Sequence, residues 1–213
     1  MVDFFFNYYK YSTATQILLE FCAFIFGIIS VFCAKKENIW VYPTGLVATV
    51  ITMYLMYKAQ YFGDMVINFY YTIMSLYGWY LWSKKTNTVD LQISRTTISQ
   101  KKIGFGLFLL SIIFTYLVYL FFNTKLEIPN YIDIFTSGLF FTAMWFMALK
   151  KIENWTLWII ADSIAVPLFA YRGLGMIAIQ YLIFTLLALS AYIKWKKILA
   201  KQTESVLWNE KVI

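Results

Sequence analysis

Glu153-Asn154-Trp155-Thr156-Leu157-Trp158-Ile159-Ile160-Ala161-Asp162 decides the fold, because it opens an apolar segment of membrane length and carries an acid inside it. At about 100° per residue, Trp155, Trp158 and Asp162 fall on one side of a helix. An acid at that depth costs about 2.5 to 3.5 kcal/mol on insertion scales, so Asp162 is expected to face a polar cavity or a partner within a bundle. Two aromatic planes and a carboxylate on one face point to a small-molecule site. The plainer alternative is interfacial anchoring by the tryptophans, with Asp162 as a structural hydrogen-bonder.

Composition sets the class around this stretch. With 61% hydrophobic, 21% aromatic and only 14% charged residues, the 213-residue chain cannot be a soluble domain with a polar surface. Its mean hydropathy of +0.65 agrees. An all-α integral membrane protein is expected. The net charge of +7 comes from basic residues clustered in short loops, a topology signal and not a nucleic-acid surface. Cys22 and Cys33 would lie about 16 Å apart on one helix, too far to pair. With no histidine, no paired carboxylates at working spacing and no metal-ligand set, the sequence implies neither an enzyme nor a bound metal or cofactor.

Residues 1–14 form an aromatic lead-in without the pattern of a signal peptide. Seven segments of spanning length follow: Gln16 to Ala34, Trp40 to Tyr57, Asp64 to Trp82, Lys102 to Phe122, Tyr131 to Leu149, Trp155 to Ala170 and Gly173 to Trp195. Ser83 to Lys101 is the polar linker. Fourteen of the 18 basic residues fall on the side that holds the C-terminus and four on the other. The positive-inside rule then puts the N-terminus outside and the C-terminus in the cytoplasm.

An internal repeat runs through this frame. Glu37-Asn38 is echoed by Glu153-Asn154, an offset of 116, and Tyr71 by Tyr181, an offset of 110. On that second offset Ala178 would match Asn68, and Gln180 would match Tyr70. The halves are about residues 16–83 and 131–197, joined by a linker and connecting helix over about 84–130. One extra span between two triplets makes them parallel, a 3+1+3 arrangement in a single transporter domain. Along the third span Asn68, Tyr71, Ser75, Trp79 and Trp82 form one stripe, with Trp79 and Trp82 expected in an interfacial belt.

Tyr61-Phe62-Gly63-Asp64, Asn68, Tyr71, Tyr77-Gly78-Trp79 and Trp82, followed by Glu153 to Trp158, Asp162, Tyr171, Gly173, Gln180 and Tyr181, resemble the PnuC family of nicotinamide riboside transporters. The likeness extends over roughly residues 35–195. It implies a SWEET-like fold, facilitated vitamin uptake across a bacterial inner membrane with the product trapped by phosphorylation inside the cell, and a homotrimer. Asn68 stands where the family usually has glutamine. Relatives of this type also carry thiamine, riboflavin or deoxynucleosides.

The candidate substrate site is Trp40, Asn68, Tyr71, Trp155, Trp158, Asp162, Gln180 and Tyr181. Aromatic faces suit a pyridinium ring, Asp162 suits its charge or ribose hydroxyls, and the two amides can donate and accept at once. Pro167 within the sixth span and Pro43 near the start of the second are candidate hinges. The orientation is open to a direct test. In a background without Cys22 and Cys33, single cysteines at Asn7 and Gln202 are expected to react with an impermeant maleimide from opposite sides of the membrane, and labelling from one side would overturn the topology.

Overall fold

The computed structural model describes residues 13–58, 62–84, 91–123, 126–171 and 175–212. The lead-in, part of the linker, and Tyr61 and Gly173 of the family resemblance lie outside the described residues. Seven helices occupy the rest: α1 Ala14–Lys35, α2 Val41–Lys58, α3 Phe62–Ser83, α4 Ile98–Phe121, α5 Ile128–Ala148, α6 Glu153–Tyr171 and α7 Gly175–Val212. Among the described residues there is no strand beyond an isolated bridge of Ser94 to Lys151.

Capping chemistry moves several ends from their expected places. Thr97 and Gln100 bond reciprocally, Thr97 N to Gln100 Oε1 at 3.0 Å and Gln100 N to Thr97 Oγ1 at 3.2 Å, so α4 starts at Ile98 and not at Lys102. Asn130 Oδ1 accepts from Glu127 N at 3.0 Å, and Pro129 suits the first turn, which carries α5 back to Ile128. The last helix runs on past Trp195 to Val212.

Four helices are long and apolar enough to cross a membrane by themselves: α1, α4, α5 and, over Ile177–Glu204, α7. The other three are shorter or carry more polar side chains. They enter hydrocarbon as members of a bundle, since each helix satisfies its own backbone and only side chains remain to be sheltered. The chain is a multi-pass membrane protein. Its helix α5 is the enclosed one, buried along most of its length, whereas α1, α4 and α7 expose most of theirs.

Helix α1 packs on α2, α2 on α3, α5 on α6 and α6 on α7, while α3 touches α5 and α1 touches α7. The last two contacts are what a two-fold relation between the triplets α1 to α3 and α5 to α7 would generate. Backbone detail fixes the register. Both α1 and α5 end in a left-handed residue, Glu37 at φ 58° and Lys150 at φ 49°. Asn38 N reaches Cys33 O at 2.9 Å, and Lys151 N reaches Phe146 O at 2.9 Å. Glu37 N reaches Ala34 O and Lys150 N reaches Met147 O, each at 3.0 Å. These are two Schellman ends built alike.

Glu37 and Lys150 are 113 residues apart. The same step carries Tyr42 to Trp155 and Trp82 to Trp195, and both pairs meet edge-on, at 5.1 Å and 86° and at 5.4 Å and 87°. One offset therefore serves from the first turn to the third helix. It replaces the offsets of 116 and 110, and it pairs Asn68 with Tyr181 in place of Ala178. The sequence echo followed side-chain identity, whereas the backbone equivalence joins residues of opposite charge.

The expected belt also divides. Trp79 is exposed, but Trp82 is partly buried and donates from Nε1 to Ala148 O at 3.1 Å, so it bridges the halves. Nor is the linker free over its second part. Ser94 N donates to Lys150 O at 3.1 Å, Ile152 N donates to Ser94 O at 3.0 Å, and Ile93 is buried beneath them. Lys151 Nζ donates to Ser94 Oγ at 2.8 Å. Burial pulls its ammonium below the ordinary lysine range, against the opposing pull of Glu153.

Helix α4 lies against α5 through two close approaches, Gly104 under Phe146 and Gly138 under Phe108. Tyr119 donates to Asp133 Oδ2 at 2.5 Å near the other end of the pair. In the first half, Gly78 serves Tyr42 in the same way, since a Cβ there would collide with the Tyr42 ring. Gly78→Ala is expected to cost about 1 to 3 kcal/mol by overpacking. Gly106→Ala, in open space, should cost nothing. Thermal unfolding in detergent compares the two, and equal midpoints would show that Tyr42 is not wedged there.

Candidate functional site

The site is built on α6. Its side chains at Trp158 and Asp162 stand one turn apart, and Ala161 and Ala165 present no exposed surface between them and the neighbouring helices. Small residues at these positions let helices close in and exclude lipid. Asp162 is 1% exposed. Among the described residues its Oδ1 meets no hydrogen-bond donor, and Trp158 Nε1, equally buried, meets no acceptor. Each unmade hydrogen bond costs about 1 to 3 kcal/mol, a cost retained where a ligand completes the pair.

Around Trp158 the bundle supplies aromatic faces from three other helices. Tyr71 of α3 lies 6.0 Å from its ring and Phe140 of α5 lies 5.4 Å away. Tyr181 of α7 stacks on Phe169 at 5.1 Å and 9°, and on Phe140 at 5.9 Å and 26°. A second stacked pair, Tyr70 on Phe141 at 4.0 Å, is fixed by the Tyr70 hydroxyl donating to Phe141 O at 2.9 Å. That pair locks α3 to α5 beside the cluster.

Of the residues singled out in the sequence, the structure brings Tyr71, Trp158 and Tyr181 into one cluster, with Asp162 on the next turn of α6. Asn68 is half-buried on α3, one turn from Tyr71, and its carbonyl accepts from Thr72 Oγ1 at 2.9 Å. Gln180 is half-buried on α7 and faces α1, its Nε2 being 3.7 Å from where a Cβ on Gly27 would stand.

Two residues lie apart from this group. Trp40 is 61% exposed, and its backbone serves the turn before α2, with N donating to Asn38 Oδ1 at 3.0 Å and O accepting from Thr44 Oγ1 at 2.6 Å. Trp155 is 1% exposed and belongs to the cluster of Trp195, Tyr42 and Ile93 at the end of the bundle that carries Lys150 and Lys151, against which Trp158 also packs. Pro167 interrupts α6 and deprives the Ser163 carbonyl of its helical donor. Pro43 sits in the first turn of α2, where a missing N–H leaves the helix intact.

Phe140 and Phe169 complete the cage and were not legible, because a phenylalanine inside an apolar run carries no signal of its own. In the register of 113, Phe140 stands where the first half has Gly27. Among the described residues no group of three His, Cys, Asp or Glu could hold a metal ion.

The model of the nicotinamide mononucleotide transporter family matches residues 17–197. Two nicotinamide riboside transporters PnuC, from Escherichia coli strain K12 and Shigella flexneri, are each 24% identical over 201 residues, covering 83% of this chain and 84% of theirs. A crystal structure of the vitamin B3 transporter PnuC superposes with a TM-score of 0.69 at 21% identity, over 86% of this chain and 83% of that one. The fold is therefore that of the solved transporter.

The two α6 tryptophans should separate on mutation. Trp158→Ala is expected to weaken ligand binding by roughly tenfold, the loss of one stacking face, with little change in melting temperature. Trp155→Ala, at 1% exposure, is expected to cost about 3 to 5 kcal/mol of stability instead. Calorimetric binding and thermal unfolding, measured on both variants, would contradict the assignment if the effects were reversed.

Proposed function

The chain belongs to the nicotinamide mononucleotide transporter family, and from that premise we propose that it takes up nicotinamide riboside by facilitated diffusion, with the cage around Trp158 and Asp162 as the binding site. One observation carries the reading: a buried carboxylate oxygen and a buried indole N–H, both without partners among the described residues, one turn apart beside stacked aromatic rings. A pyridinium ring between such faces gains about 0.5 to 2 kcal/mol once desolvated. Asp162 balances its charge or accepts from ribose hydroxyls, and Asn68 and Gln180 supply donors and acceptors from the flanking helices.

The chemistry separates riboside from mononucleotide. A phosphate needs cations, and α3, α5 and α6 carry no lysine or arginine, while the first in α7 is Lys194, thirteen residues beyond Tyr181. The uncharged sugar needs none. Nothing in the cage resembles a catalytic set, so transport without chemistry is the proposed activity.

The moving parts of the proposal are the two triplets, about residues 16–83 and 131–197, rocking about the site with α4 as the connection between them. Pro167 is the proposed hinge, because it loosens α6 on the far side of Asp162 from Trp155. The N-terminus is placed outside and the C-terminus in the cytoplasm of a bacterial inner membrane, and the assembly is proposed to be a homotrimer. The surface exposed by α4, with Phe105, Leu110, Ile113 and Phe121 among its outward residues, is apolar enough for lipid or for a protomer contact.

Uptake of labelled nicotinamide riboside, its mononucleotide, thiamine, riboflavin and a deoxynucleoside into proteoliposomes tests the reading. The riboside should equilibrate without an imposed ion gradient, and the mononucleotide should not enter. Accumulation well above equilibrium under a proton or sodium gradient, lost with an ionophore, would refute facilitated diffusion. Asp162→Asn keeps the shape of the site, so its loss of affinity, roughly tenfold, should be larger for the cationic riboside than for its neutral reduced form. Equal losses would show that Asp162 does not read charge.

A further inference from the structure

We propose that Glu37 and Lys150 form a latch on the axis between the two halves, which holds the lysine-bearing end of the bundle shut and breaks once in every transport cycle. The inference rests on the alternating movement proposed above. Its geometry rests on the register of 113. Two positions related by a two-fold axis can touch only if both lie close to that axis, and Glu37 and Lys150 are such a pair, with Lys150 Nζ 3.5 Å from Glu37 Oε2. In a symmetric pair of identical triplets the same two positions would hold like charges and repel. Divergence of the halves has placed opposite charges there.

Among the described residues the Lys150 ammonium meets two side chains of the first half, Glu37 and Trp82. It lies 4.4 Å from the centre of the Trp82 ring, and Trp82 in turn donates to Ala148 O of the second half. The lysine side chain is 10% exposed and the glutamate 26%, so the pair is only partly screened by solvent. Beneath it the two halves meet in one apolar cluster containing Ala34, Tyr42, Ile93, Met147, Trp155 and Trp195.

A second observation shows that this end is closed at a cost. Among the described residues, Tyr42 OH, Asn154 Oδ1, Trp155 Nε1 and Trp195 Nε1 are all buried without hydrogen-bond partners. Water reaching them when the end opens would satisfy all four, so the closed arrangement needs an attraction across the halves to hold it. The latch supplies that attraction where the lever arm is shared equally. The second part of the linker moves with the second half, because Ser94 is bonded to Lys150 and Ile152, and Thr96 N donates to Glu153 Oε2 at 3.0 Å.

The test uses the full chain in proteoliposomes, with Cys22 and Cys33 replaced by serine and Ala34→Cys placed beneath the pair, where the native alanine is 1% exposed. The rate of labelling by an impermeant maleimide, added from the lysine-bearing side without substrate, reports opening of that end. Glu37→Gln should accelerate labelling roughly threefold to tenfold, and Glu37→Lys, which faces Lys150, should do so more. The exchange Glu37→Lys with Lys150→Glu should return the parent rate, because a lysine at 37 then lies over Trp195 as Lys150 lies over Trp82. Labelling that none of the single variants accelerates, or an exchange that stays as fast as Glu37→Lys, would overturn the latch. No substrate enters this measurement, so a failure of riboside uptake bears on the proposed cargo and leaves the latch standing on its own result.

Discussion

A carboxylate with 1% exposure inside an apolar bundle constrains everything packed around it. Hydrocarbon cannot solvate Asp162, so α6 has to be surrounded by other helices, and it packs on both α5 and α7. Ala161 and Ala165, both without exposed surface, make that enclosure tight enough to keep lipid out. The same demand explains why α5, which lies against α3, α4 and α6, is the most enclosed helix. Helices such as α1 and α4 expose most of their surface and form the outer wall. The short and polar members can then sit inside, where their side chains have work other than spanning.

Segment number was legible because length and hydropathy are sums over about 20 residues, and sums tolerate local error. Segment ends were not, since a single cap decides them. Thr97 with Gln100 and Asn130 with Glu127 each moved a start by three or four residues. The linker looked free because Ser94 and Thr96 are polar, yet their backbone N–H groups pair with Lys150 and Glu153. Composition says which groups can form hydrogen bonds and nothing about with whom.

The site was legible where helical spacing put unlike chemistry on one face. Asp162 and Trp158 stood out because an acid is rare in an apolar run, and Tyr71 and Tyr181 because they stood in the repeat. Trp40 and Trp155 show the limit of that reasoning. A tryptophan suits an interface, a packed core and a stacking wall alike, and only the fold sends Trp40 to the surface and Trp155 into the closed end. The repeat was visible but its register was not, because Glu37 corresponds to Lys150 through backbone conformation, which the side chains do not disclose.

The corrected register separates what the halves share from what they do not. Shared positions are those of packing and closure: Ile39 with Ile152, Ala48 with Ala161, Leu55 with Leu168, Thr72 with Thr185 and Trp82 with Trp195. Such identity keeps the two triplets mechanically alike, as rocking about a common axis requires. Around the proposed site the correspondence fails. Trp158 answers to Gly45, Asp162 to Thr49, Phe140 to Gly27 and Tyr181 to Asn68. The second half therefore offers aromatic rings and a carboxyl group where the first offers glycines and neutral polar groups. A ligand bound across the axis as proposed would meet a flat wall bearing a carboxyl group on one side and a small, hydrogen-bonding wall on the other. That division matches a molecule with a cationic ring at one end and a hydroxylated sugar at the other, and a symmetric site could not distinguish those ends.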